Sequence, residues 1–162
     1  MGIVAEVAGV GAAGLTSSIT GGLTIAAELR WPSFSIGLEG QGDFPTTSTV
    51  GGGGSVQVSA LFATVAPCFR LRYFGACALV AGGATEVNGI GLVQAAHTAA
   101  PLVAVGARAL GELQLVGPLS LRLQADLLAP LARTTVYAGN DVVWTTPTLG
   151  GEAALALAVR LR

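Results

Sequence analysis

Residues 119–131 alternate without a break. Leu119, Leu121, Leu123, Ala125, Leu127, Ala129 and Leu131 hold every odd position, against Ser120, Arg122, Gln124, Asp126, Leu128 and Pro130. A period of two sends successive side chains to opposite faces of a strand, whereas a helix would scatter them, so the segment is predicted to be a β-strand. The same sorting recurs over 34–43, where Phe34, Ile36, Leu38, Gly40 and Gly42 oppose Ser35, Gly37, Glu39, Gln41 and Asp43. It recurs over 23–31 (Leu23, Ile25, Ala27, Leu29 and Trp31 against Thr24, Ala26, Glu28 and Arg30) and over 149–161 (Leu149 to Leu161 on odd positions, with Glu152 and Arg160 on even ones). Ala and Leu favour helices, which leaves the last segment a helical alternative, but its binary pattern is complete and outweighs propensity. Weaker strands are predicted at 3–13, 55–69, 75–85 and 101–115, making eight.

Composition narrows what such a chain can be. Hydrophobic residues make up 52% of the 162 positions and charged residues 10%, where roughly 25% is usual. That much apolar surface excludes disorder, and the length fits one domain over 1–162. A helical membrane protein needs about 18 consecutive apolar residues. None occur, because the longest uncharged stretches, 44–69 and 87–107, are interrupted by Thr-Thr-Ser-Thr, Gly-Gly-Gly-Gly and Gln-Ala-Ala-His-Thr. The net charge is -1 and the chain has no Lys, so no basic field exists to hold a nucleic acid. No charged n-region followed by an apolar h-region opens the chain. For an exported protein, a signal peptide is then expected to have been removed.

Connection lengths and charge placement carry the next step. Short turns at 31–33, 70–74 and 116–118 alternate with long connections at 44–54, 86–99 and 132–146, and 14–18 is a short exception in the long set. Short turns on one side and long loops on the other are what a transmembrane β-barrel shows. With the first strand phased on Glu6, parity assigns Glu6, Glu28, Arg30, Glu39, Asp43, Arg108, Glu112, Arg122, Asp126, Glu152, Arg160 and Arg162 to the polar face. Arg70, Arg72, Glu86, Arg133 and Asp141 fall in turns and loops, so no charge lands on the apolar face. A charge facing lipid at midplane costs about 2 to 4 kcal/mol, which explains their absence from such a face. A soluble barrel would turn the apolar face inward, and an exterior so poor in charge would self-associate.

On these grounds the chain resembles the small eight-stranded outer-membrane barrels of the OmpA/OmpX type. The likeness spans the whole chain and lies in strand count, alternation, turn and loop lengths and the mixed-sign polar face, not in a residue motif. It implies an all-β, eight-stranded, antiparallel, up-and-down transmembrane barrel in the Gram-negative outer membrane, surrounded by its lipid, with both termini periplasmic. A monomer is expected, since a closed barrel leaves no strand edge to cover. Barrels of this class usually finish on an aromatic residue, and Val159-Arg160-Leu161-Arg162 departs from that.

In this class the lumen is only wide enough to be filled by side chains. Glu6, Glu28, Arg30, Glu39, Asp43, Arg108, Glu112, Arg122, Asp126, Glu152 and Arg160 then read as a lumen ion-pair network, with Arg108 beside Glu112 and Arg122 beside Asp126. A structural plug is the expected role; a narrow solute path is the alternative. Trp31, Phe34, Tyr73 and Phe74 would form one interfacial girdle, and Phe44, Tyr137 and Trp144 the other. Cys68 and Cys77 flank the midpoint Arg72-Tyr73 of one hairpin, which places them opposite each other, and an oxidising compartment then predicts a disulfide.

Other motifs carry no chemistry. Gly9-Val10-Gly11-Ala12-Ala13-Gly14 matches a dinucleotide fingerprint by letter, but Leu15 to Gly22 cannot supply the helix it needs. Gly51 to Gly54 lacks the Lys-Ser/Thr of a phosphate loop. His97, the only histidine, has neither a Ser nucleophile nor a nearby acid for hydrolysis. The expectation is a non-enzymatic barrel without a cofactor, with a structural or surface-binding role and an extracellular ligand held by loops 44–54, 86–99 and 132–146. The alternatives are a narrow outer-membrane channel for small solutes and a soluble β-barrel binding an apolar ligand.

Overall fold

The computed structural model describes residues 1–13, 19–50, 54–90, 97–132, 135–138, 141–145 and 147–161. They form the strands β1 (Gly2–Ala13), β2 (Thr20–Arg30), β3 (Phe34–Asp43), β4 (Thr46–Val50), β5 (Gly54–Arg70), β6 (Phe74–Ile90), β7 (His97–Gln114), β8 (Leu119–Pro130), β9 (Thr135–Ala138), β10 (Asp141–Thr145) and β11 (Gly150–Leu161). Eight of these, β1 to β3, β5 to β8 and β11, form one antiparallel sheet. The sheet meets itself through the β3–β5 pairing, and β1 pairs with β11, so the barrel is closed. All eight predicted strands are present, and the helical alternative for the last one gives way to β11.

Alternation sets the two surfaces. Along β8, Ser120, Arg122, Gln124 and Leu128 are buried inside the barrel while Leu123 and Leu127 are exposed outside it. The same split runs through β2, with Thr24 and Glu28 inside and Leu23, Ile25 and Leu29 outside. Polar in and apolar out is the arrangement read from the charges. On β5, counted from the turn end, the outward residues are Phe69, Pro67, Val65, Ala63 and Leu61, followed by Ser59, Gln57 and Ser55. The apolar run covers 61–69, close to the roughly 9 to 11 tilted residues that cross a hydrocarbon core.

All three long connections hold more strand than expected. β4 pairs with the upper part of β5, from Thr46 opposite Val58 to Val50 opposite Gly54. β6 and β7 stay paired up to Asn88 opposite His97, beyond the top of β8, which ends at Pro130 opposite Ala104. β4 and the upper parts of β5, β6 and β7 thus form a wall projecting past the rest of the rim. Glu86 is exposed on the outward side of this wall, on a strand rather than in a loop. Within the third long connection, β9 and β10 pair as a separate hairpin. Thr46, Thr47, Thr49 and Val50, with Val136, Tyr137, Val142 and Trp144, are β-branched or aromatic, and that preference outweighs the polarity that reads as loop. The expected turn at 14–18, Arg133 and Arg162 lie outside the described residues.

Glycine permits close approach between neighbouring barrel strands. A Cβ at Gly106 on β7 would run into the Leu127 carbonyl and the Leu128 side chain on β8.

Candidate functional site in the barrel lumen

Inward positions on neighbouring strands bring distant charges together. In register, Arg108 stands opposite Asp126 and Glu112 opposite Arg122, so the β7–β8 ladder itself seeds two ion pairs. Arg108 donates Nε to Asp126 Oδ1 and Nη2 to Asp126 Oδ2, both at 2.7 Å, and reaches across the lumen to Glu39, with Nη2 at 2.9 Å from Oε2. Arg122 donates to Glu6 at 2.5 Å, to Glu28 at 2.6 Å and to Glu112 at 3.2 Å. Arg30 closes on Glu112 at 3.0 Å and on Glu28 at 3.1 Å. Gln124 donates its amide to the other Glu6 oxygen.

The partners differ from the expected ones. Residues four apart on a strand lie about 13 Å apart, too far for the pairs Arg108–Glu112 and Arg122–Asp126. The true partners are cross-strand or across the lumen. Arg70, expected in a turn, is the last residue of β5 and is buried in the lumen, where it bonds Glu28 at 3.1 Å and also Glu112. It shares parity with Cys68, which was the available signal. Arg160, expected in the network, is exposed at the turn-end mouth, where β11 runs out of the barrel, and no ion pair joins it among the described residues. Asp43 and Glu152 do face the lumen, but among the described residues their contacts are with Gln41 and not with an Arg.

Part of the lumen lining is apolar. Ala66, Cys68, Cys77, Leu79, Leu110 and Leu128 form one buried cluster, and Ala60, Phe62, Ala81, Leu102 and Ala104 a second. Between their few inward charges the weaker strands face inward with hydrophobic residues, which no charge pattern could reveal. Cys68 and Cys77 are directly opposite on β5 and β6 and joined by a disulfide.

Packing decides what the lumen can pass. Between Glu6, Glu28, Glu39, Arg70, Arg108 and Arg122 the remaining cavity is about 20 Å³, room for about one water. Below it, at the turn end, a vestibule of about 680 Å³ is lined by Arg30, Arg70, Arg160, Glu112, Trp31 and Tyr73. The ion pairs lie around this narrow part of the lumen. Among the described residues no three His, Cys, Asp or Glu side chains are placed to hold a metal ion.

The aromatic residues lie largely at the two rims. Trp31, Phe34, Tyr73 and Phe74 sit at the turn end, with Phe34, Tyr73 and Phe74 exposed and Trp31 against Phe34 at 6.0 Å between ring centres. Phe69 joins them, also exposed, and was missed because it lies inside a strand. Phe44 is exposed at the loop end. Tyr137 and Trp144 belong to β9 and β10, the hairpin separate from the barrel sheet; their side chains, like those of His97 and Asp141, lie outside the described residues.

A closed eight-stranded barrel with an apolar exterior and a side-chain-filled lumen is the architecture of small outer-membrane barrel proteins. No protein-family model matches the chain, and no curated protein matches its sequence. Among solved structures it is similar to Ail, the attachment invasion locus protein of Yersinia pestis, in complex with the heparin analogue sucrose octasulfate. The TM-score is 0.63 at 11% identity, covering 99% of this chain and 97% of that one. It is similar to a major outer membrane protein of Thermus thermophilus (TM-score 0.60, 13% identity, 97% and 99% covered) and to Neisserial surface protein A (0.53, 11%, 99% and 96%). At these identities the likeness is one of fold.

Proposed function

We propose that the chain is a non-conducting, non-enzymatic integral protein of the outer membrane, monomeric, whose loop end is a contact surface. The observation that carries this reading is the lumen, where Arg30, Arg70, Arg108 and Arg122 hold five carboxylates in a plug with space for one water. The uncharged outward run over 61–69 supports lipid as the surround. Short turns then face the periplasm, and the wall of β4 to β7 projects outside the cell. Planar bilayers containing the refolded protein are expected to show no unitary conductance steps. Regular steps would favour the narrow-channel alternative instead.

The wall presents Ser55, Gln57, Ser59 and Glu86, a hydrogen-bonding surface with acidic character. Among the described loop-end side chains the exposed charge is Glu86. Ail holds a polyanion, but this chain's surface suits a neutral or cationic ligand, because like charges repel across an interface. A titration of the folded protein with sucrose octasulfate is expected to give no saturable binding, and saturation would contradict this surface assignment.

A further inference from the structure

Toward the turn end of the lumen each buried carboxylate has an Arg against it, and at the loop end, among the described residues, two have none. Arg30, Arg70, Arg108 and Arg122 are committed to Glu6, Glu28, Glu39, Glu112 and Asp126. Asp43 and Glu152 are left, 7% and 8% exposed, with no cation against either among the described residues. Their shared donor is neutral. Gln41 Nε2 lies 3.0 Å from Asp43 Oδ1 and 3.4 Å from Glu152 Oε1, so one amide nitrogen stands between the two carboxylates.

A second observation lies beside them. Asp43 Oδ2 and the hydroxyl of Thr20, itself 3% exposed, are buried with no hydrogen-bond partner among the described residues. Thr20 and Glu152 both pair with Ala12 on β1, one on each side, and Thr20 is one inward step along β2 from Gly22, the partner of Asp43. The residues between are the smallest available. A Cβ at Gly22 would stand 2.7 Å from Asp43 Oδ1, so its absence leaves the carboxylate room to lean over β2. Buried carboxylates are paired or bound to metal, and here the described residues provide oxygens without a cation.

We propose that Asp43, Glu152 and Thr20 bind a divalent, oxygen-ligated cation such as calcium at the loop end of the lumen. Gln41 holds the two carboxylates apart at the spacing of one nitrogen. Two carboxylates match the charge of one divalent ion, and water completes the 6 to 8 oxygens that calcium takes. With so few protein ligands, affinity belongs to the weak extracellular range, Kd on the order of 10⁻⁴ to 10⁻³ M.

The test is the thermal unfolding midpoint of the whole folded chain in a zwitterionic detergent, with calcium chloride against choline chloride of equal ionic strength. Calcium should raise the midpoint saturably, by about 3 to 5 °C at roughly ten times Kd. The rise should vanish in Asp43→Asn/Glu152→Gln and shrink in Thr20→Val, but persist in Glu86→Gln, which removes an exposed carboxylate elsewhere at the same end. The amide variant loses only charges that have no cation against them among the described residues, so it should fold without calcium; if it does not, Thr20→Val alone decides by the size of its shift. No rise, an equal rise in the altered chains, or a rise brought by acid but not by calcium would overturn the proposal.

Discussion

A buried charge in a barrel this narrow has few neighbours, so each substitution there has a definite outcome. Arg122 is 4% exposed and serves Glu6, Glu28 and Glu112. Arg122→Met leaves Glu6 with Gln124 alone and is expected to lower stability by about 3 to 5 kcal/mol in urea unfolding of the refolded protein. Arg160→Gln, on an exposed side chain, should stay within about 0.5 kcal/mol. Parity read the facing of these residues correctly in both cases, yet it does not show where the lumen ends, so Arg160 was placed in the network. The same rule applied to the end of the fourth predicted strand would have found Arg70. The missing cations at Asp43 and Glu152 could not be read from the chain, since partners depend on which strands face each other across the barrel.

Among the elements, the β5–β6 hairpin and β8 make the strongest claims. Cys68 and Cys77 enclose a short loop, so their bond stabilises by limiting the unfolded chain, by about 2 to 3 kcal/mol. Cys68→Ser/Cys77→Ser should show that loss in the urea midpoint while still forming the barrel. Leu123 on β8 is exposed on the outer face. Leu123→Arg is expected to cost about 2 to 4 kcal/mol in lipid vesicles, and Leu115→Arg, at the turn end, about 0 to 1 kcal/mol. Equal costs would remove the depth dependence that lipid imposes. The eight barrel strands were legible because one-sided burial writes itself as alternation. The upper parts of β6 and β7 and the short β4 were not, because a strand with water on its outer face carries Thr, Ser, Asn and Gly, the composition of a loop.

On the scale of the molecule, one choice governs the rest, whether the apolar face looks out or in. The chain answered through charge, since no charged residue occupies an outward position from 61 to 69 or along β8, while the inward positions of β8 carry both signs. Closure follows from the β1–β11 and β3–β5 pairings, and no barrel strand is left with a free edge along the apolar belt. The apolar half of the lumen was hidden because Phe62, Leu79 and Leu102 look like the outward residues beside them. The most direct test is gel migration of the protein refolded into lipid vesicles, loaded without boiling and after boiling. A faster unboiled band that shifts to the unfolded position on boiling is the expected result. A single band at the unfolded position, from protein that stays soluble in buffer without detergent, would mean that the apolar face is turned inward.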